Sequence, residues 1–415
     1  MGKIVISRVW DKLLLFLMDG QNHPDLIRML DHGQETGQSM VGNVYVGRVS
    51  DVASGMDGAF VSISNSQKVF LPFKECRNLI LTNASGRGKA VQKGLSSESQ
   101  AISLKQGDEI VVQITRDALK TKLPGASGNL SFAGRYCVCQ MDGHGIRYSK
   151  KLSEEKVWEL KQAIENTDIP DKKCCSFTVR TNAGFLTDPE PLFGEMESLA
   201  GLLSEIRQTC MHRTVYSCLY QAEPETVKAL KDIPLDRYEE IVTDIPSIYR
   251  QLSDAASPVK VRFYQDDLIS LAKLYSLETH LKQALSKTVW LPCGGYLVIE
   301  PTEAMTVIDV NSGKGTNVKS QRKHLYLNVN LEAAKEIARQ LRLRNLSGMI
   351  MVDFINMDSK EEEQTLLESL RGYLKKDSIK TMLVDMTALG IVEITRKKEE
   401  KPLKEYFKTY SGKEG

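Results

Sequence analysis

At 415 residues the chain exceeds what one simple core can organise, so roughly two to four domains are expected. Hydrophobic residues make up 41% and charged residues 26%, the balance of a soluble globular protein. A net charge of +2 excludes whole-chain attraction to an anionic partner, which must be met by local patches.

Eight cysteines, at 76, 137, 139, 174, 175, 210, 218 and 293, form no CxxC, so a zinc ribbon is not expected. Reduced, buried thiols are the favoured reading. The N-terminus lacks the charged start, long apolar core and small-residue cleavage site of a signal peptide. No run approaches the ~20 apolar residues of a membrane span. A cytoplasmic chain is expected.

Residues 3–9 and 12–18 are β-rich runs split by Trp10-Asp11, which predicts a hairpin. Residues 19–37 are polar and are expected to cross to a new unit. Residues 43–49, 58–63, 68–72 and 109–114 predict the short strands of a small barrel. Residues 82–100, rich in Ser, Gly and Lys, interrupt it as a loop. Phe60 and Phe70 sit on neighbouring predicted strands. They could stack bases, but composition alone favours two core rings.

Further strands are predicted within 130–148, a helix over 153–166 and a strand over 175–179. That strand runs into Arg180-Thr181-Asn182-Ala183-Gly184. A guanidinium beside a hydroxyl and a glycine turn suits a phosphate, although an arginine in a loop is more often solvated. Residues 192–211 predict a long amphipathic helix. Helices are expected at 224–230, 235–242 and 266–284, and a strand at 259–264. His280 could act as a base, but a surface histidine is the favoured reading.

The stretch 294–317, GGYLVIEPTEAMTVIDVNSGKGTN, embeds Asp309 in an apolar run. A second such run, MIMVDFI at 349–355, is centred on Asp353. Period two puts Asp309 and Asn311 on one face at a strand end. Residues 331–345 predict a strong helix whose Lys335, Arg339 and Arg342 form a basic stripe. Asn311 to Asn345 holds eight Lys/Arg against two Asp/Glu. That excess suits either a solvated helix face or a contact to a phosphate backbone.

A helix between the two acidic strands allows a crossover and parallel neighbours, with both acids at adjacent strand ends. Two carboxylates and an amide make a hard, oxygen-rich site that suits Mg²⁺ and a phosphate. Acids that merely cap turns or pair with basic residues are the bland alternative.

Three long motifs then carry a resemblance: GGYLVIEPTEAMTVIDVNSGK, NLEAAKEIARQLRLRNLSGMIMVDFINM and LGIVEITRKK. They closely resemble the catalytic region of the ribonuclease E/G family. Upstream, NVYVGRVSDVASGMDGAFVSI and VFLPFKE resemble its S1 RNA-binding barrel, and LSFAGRYCVC and FTVRTNAG its 5′-end sensor. The likeness covers nearly the whole chain.

The resemblance implies an α+β, mixed multidomain fold. An RNase H-like subdomain (1–38 and 214–285) would be split by an S1, OB-type barrel (39–122) and a 5′-sensor (123–213). A DNase I-like α/β catalytic subdomain (286–400) and a tail (401–415) would follow. Asp309 and Asp353 match the acids that hold a catalytic Mg²⁺, with Mn²⁺ possible, and Asn311 matches a positioning amide. Arg180 and Thr181 match the grip on a 5′-monophosphate, with Gly134 and Val138 on the supporting loop. Phe60, Phe70 and Lys122 match RNA-contacting residues of the barrel.

The implied activity is that of a metal-dependent, single-strand-specific endoribonuclease in RNA processing or decay. It would act on mRNA or rRNA precursors and leave 5′-phosphate and 3′-hydroxyl ends, stimulated by a 5′-monophosphate. The alternatives are a non-catalytic S1-type RNA-binding protein and a DNA-directed metallonuclease. The family's CPxC zinc link does not occur in this sequence. No zinc is therefore expected, and oligomeric state is left open.

Overall fold

The computed structural model describes every residue except 31–38, 77–78, 84–103, 119–121, 142–144, 168–174, 256–257, 314–321, 358 and 408–415. Most of the predicted loop at 82–100 lies outside the described residues. Contact density divides the chain into two units, residues 1–32 with 237–415, and residues 33–236.

The first unit holds two sheets. In one, Gly2–Val9 pairs antiparallel with Lys12–Met18 and parallel with Tyr238–Thr243. The predicted hairpin is present, and both turn residues are left-handed, Trp10 at φ 48° and Asp11 at φ 63°. This is the backbone of the tight hairpin turns that match strand twist. The Trp10 ring is held edge-on to Phe407 at 5.7 Å.

Three expectations are corrected here. The polar stretch 19–37 contains a strand, Pro24–Met29, which adds to Lys12–Met18. Residues 235–242 are not a helix but a 3₁₀ turn, Leu235–Arg237, and then the strand Tyr238–Thr243. Ile241 and Val242 are β-branched and fully buried between parallel neighbours, so pairing overrides the local helical spacing. The expected helix at 266–284 is broken in two, Leu271–Leu274 and Leu277–Leu285, by left-handed Ser276 at φ 49°.

The second sheet of this unit orders its strands as Thr288–Trp290, Tyr296–Pro301, Met305–Asn311, Gly348–Asp353, Ile391–Arg396 and Thr381–Met386. Along its central strands burial alternates. Leu297, Ile299, Ile308, Val310, Ile350, Val352, Val392 and Ile394 are buried on one face. Two helices cover that face, Arg322–Leu343 and Lys360–Leu374. The first presents Ala333, Ala334, Ile337, Ala338 and Leu341, the second Leu366, Leu370 and Leu374. Among the described residues the other face has no such cover: Val307 is 37% and Met349 51% exposed. Antiparallel sheets commonly bury one face in this way; the present one does so with a parallel pair at its centre.

The second unit contains a closed barrel. Val44–Ala53, Gly58–Ser62, Lys68–Pro72, Gly125–Ser127 and Glu109–Arg116 pair in that order, and Glu109–Arg116 pairs back to Val44–Ala53. Closure removes the sheet edges. Val49, Val61, Val69, Leu71, Ile110, Val112 and Ile114 fill the interior. A separate four-stranded sheet packs its Phe132, Cys137, Cys139, Phe177 and Val179 against the helix Glu190–Thr209. Buried Gln113 ties the barrel to this sheet, accepting from Ser131 N at 2.8 Å and donating to Ser131 O at 3.0 Å. The architecture is therefore mixed α+β, with several sheets and a five-stranded barrel.

Among the described residues Cys76, Cys137, Cys139, Cys210, Cys218 and Cys293 are free thiols. Burial pushes the Cys76 thiol up to about 12, so it is chemically quiet at neutral pH. No helix among the described residues is long and apolar enough to cross a membrane.

Candidate functional site

The strand Met305–Asn311 and the strand Gly348–Asp353 are parallel, and their register pairs Asp309 directly with Asp353. Parallel partners point to the same face, about 4.8 Å apart at the backbone. Leu297, Ile308 and Val352 mark the covered face, so both acids stand on the open one. Asp309 is half-buried and Asp353 exposed. The sequence read these as acids on two buried strands; the buried apolar residues beside them, Ile308, Val310 and Val352, belong to the opposite face. Their desolvation cost is correspondingly small.

Asn311 lies two residues beyond Asp309 on the same face, and its Nδ2 donates to Asp309 Oδ2 at 2.7 Å. Among the described residues no lysine or arginine pairs with either acid. Behind them Asn330, fully buried on the covering helix, donates to Ile355 O at 2.8 Å and accepts from Ile355 N at 3.1 Å. It pins the chain just past Asp353.

Two adjacent, uncompensated carboxylates form an oxygen donor set that fits Mg²⁺, which takes one or two protein carboxylates and fills its shell with water and phosphate. No cluster of three or more His, Cys, Asp or Glu of metal-binding geometry occurs among the described residues, so any metal here would be held by two acids.

The basic stripe does not join the acids. Its helix covers the buried face, on the far side of the sheet. Arg339 donates to Glu336 Oε1 at 2.6 Å and to Pro24 O at 2.6 Å. Arg342 pairs with Asp25 at 2.7 Å. Both bind the helix to the Pro24–Met29 strand. Lys335 lines an open cleft of about 940 Å³ with His23, Asp25, Arg237, His280 and Glu336. His280 is half-buried rather than solvated: burial, with His23 at 6.2 Å, lowers its pKa.

The second unit gathers Arg180, Thr181, Gly134 and Val138. Arg180 ends the strand Ser176–Val179, and its N–H donates to Tyr136 O at 2.7 Å. Its Nη1 donates to Gly134 O at 2.6 Å, and its Nη2 is paired closely with Asp232. Thr181 Oγ1 shares a hydrogen bond with Ser149 Oγ at 2.9 Å. Val138 pairs with Thr178 and Ala133 on neighbouring strands.

The loop behind Gly134 is held by Glu195. One carboxylate accepts from Arg135 N at 2.5 Å, Tyr136 N at 2.7 Å and Cys137 N at 2.8 Å. A Cβ at residue 134 would collide with that carboxylate, which is why glycine stands there. Burial, with Arg180 alongside, lowers the pKa of Arg135. The sequence reading missed both Glu195 and Asp232. Glu195 was findable as a lone acid on the stripe between Leu192 and Leu199. Asp232, distant in sequence, had no such signal.

Phe60 and Phe70 are a paired cross-strand couple with ring centroids 5.6 Å apart. Their neighbours Ala59, Val61, Val69 and Leu71 fill the barrel, so both rings point outward and are half-exposed. The composition-based preference for core rings is corrected. Lys122 is exposed, close in sequence to Pro124, whose carbonyl accepts from Phe70 N at 2.9 Å.

The profile of the Ribonuclease E/G family matches residues 131–399. Ribonuclease E of Synechocystis sp. is 31% identical over 90% of this chain and 54% of its own length. Ribonuclease E of Haemophilus influenzae is 29% identical over 94% of this chain and 40% of its own. Ribonuclease G of Escherichia coli K12 is 31% identical over 88% of this chain and 74% of its own. The chain thus spans about half the length of the first two curated ribonuclease E relatives it matches. Taken with the profile match, the likeness to ribonuclease G shows that the chain belongs to the ribonuclease E/G family.

Proposed function

We propose that this chain is a metal-dependent, single-strand-specific endoribonuclease of RNA processing and decay. One observation carries the reading: Asp309 and Asp353 side by side on an open sheet face, with no cation paired to them among the described residues. Asp309 and Asp353 would hold Mg²⁺ or Mn²⁺. When bound, the metal supplies charge neutralisation at the scissile phosphate and a water of lowered pKa. Asn311 orients the Asp309 carboxylate through its 2.7 Å hydrogen bond. The open face leaves room for a strand to approach, and in-line attack by water yields 5′-phosphate and 3′-hydroxyl ends.

The barrel is an S1-type RNA clamp in this reading, with Phe60 and Phe70 as stacking rings and Lys122 on the backbone. Arg180, Thr181, Gly134 and Val138 form a 5′-monophosphate sensor. The sheet of residues 2–29 and 238–263 belongs to an RNase H-like subdomain, interrupted by barrel and sensor. Residues 286–400 form the DNase I-like catalytic part. Substrates are single-stranded mRNA or rRNA precursors in the cytoplasm.

The test is cleavage of a 5′-monophosphorylated, A/U-rich single strand with Mg²⁺. Wild type is expected to cut it and to spare single-stranded DNA. RNA binding without cutting would support a non-catalytic clamp instead, and equal cutting of DNA a general metallonuclease.

A further inference from the structure

The open face holds one more feature. Trp290 is 70% exposed, unusual for the largest apolar side chain. It is not solitary: its ring lies against Tyr296 with centroids 5.1 Å apart and planes at 52°. The two are register partners across a hairpin, and Tyr296 is in turn the partner of Asn311. Cross-strand partners share a face, so Trp290, Tyr296 and Asn311 form one row. The next row is Val298, Asp309 and Asp353.

The hairpin tip is fastened to the site. Leu291 N donates to Gly295 O at 2.8 Å, closing the turn. A Cβ at Gly295 would meet Asn311 O at 2.7 Å, and one at Gly313 would collide with Gly294 O. Glycine at these positions lets the tip press on the backbone leaving Asn311. Trp290 is thus placed two strand spacings, or about 10 Å, from Asn311 at the backbone, with Tyr296 between them.

We propose that Trp290, backed by Tyr296, is a stacking platform for the unpaired nucleobase beside the scissile phosphate. The inference rests on the ribonuclease reading, which places that phosphate at Asp309 and Asp353. An exposed indole one row from phosphate-holding acids offers a π-face to any base, so it tolerates sequence while fixing the strand's path. It also discriminates against a strand whose neighbouring base is held in a duplex.

The test scans a single abasic residue through a 5′-monophosphorylated A/U-rich strand. Wild type should show a KM about tenfold higher when the gap falls at one position flanking the cut. Trp290→Ala should show that rise on the intact strand and no further loss at the gap, while Trp290→Phe restores most of the difference. If Trp290→Ala cuts the intact strand like wild type, or still discriminates fully against the gap, the platform is overturned. If wild type cuts no RNA, the ribonuclease reading fails. Equal binding of the uncut strand by wild type and Trp290→Ala would then remove the platform as well.

Discussion

Among the described residues Asp309 and Asp353 stand together with no cation on either, whereas Arg180 already holds the carboxylate of Asp232. A bound cation would neutralise the first. The second is satisfied without ligand, so a phosphate arriving at Arg180 must displace a carboxylate. Supporting structure differs too. Asp309 is steadied by one amide from its own strand. The loop at Arg180 is held by three backbone hydrogen bonds to a single glutamate from a distant helix. Under the proposed reading, a metal site leaves charge bare, while an anion sensor keeps a weaker internal anion in place.

Beside the same sheet, in the loop before Thr381, stands a carboxylate of the opposite kind, which tests the comparison most severely. Asp377 and Arg396 form an ion pair at 2.8 Å with side chains 3% and 2% exposed. Arg396 also donates to Asn345 Oδ1 at 2.7 Å. Asp377→Ala strands a buried guanidinium and should cost about 3–5 kcal/mol in denaturant unfolding. Asp309→Asn and Asp353→Asn should instead leave the metal-free protein at least as stable as wild type. They should lower Mg²⁺-dependent cleavage by roughly 10²–10³. Added Mg²⁺ should raise the melting temperature of wild type and not of these variants. A metal-free melting temperature well below wild type would show that the acids are structural.

At the sensor, Arg180→Ala should erase the preference for 5′-monophosphate over 5′-hydroxyl ends. Asp232→Asn, which removes the competing charge, should sharpen that preference by up to about tenfold. An unchanged ratio in both would take Arg180 out of that role. The smallest effect concerns Glu240, held down to about 2 by its hydrogen bond from Arg262, with Lys3 adding to it against burial. A carboxyl depressed in the folded state stabilises above its unfolded value, near 4.5, and that contribution is lost as pH falls through about 2. Glu240→Gln should cost about 1 kcal/mol at neutral pH, given its partly solvated position. It should also flatten the loss of stability between pH 4.5 and 2.

Much of this was legible in the residues. The hairpin at Trp10-Asp11, the barrel strands and the helix after Ser153 all follow from short-range pattern. The strand Pro24–Met29 was hidden by a polar setting, and Tyr238–Thr243 by helical spacing, because each is fixed by strands far away in sequence. The basic stripe was visible, but not that Arg339 and Arg342 spend their charge on Pro24 O and Asp25. Charge can be counted along a chain; its partners cannot.

By itself the sequence determined that Asp309 and Asn311 share a face, that Asp353 lies on a second strand, and which family these motifs resemble. Period two settles the first two, since alternation is a property of the backbone. Only the tertiary structure decided that the face is the open one, that Asp309 and Asp353 meet in register, and that Trp290 and Tyr296 continue their surface. Which face is covered depends on where two helices pack, and register depends on hydrogen bonds between segments some forty residues apart.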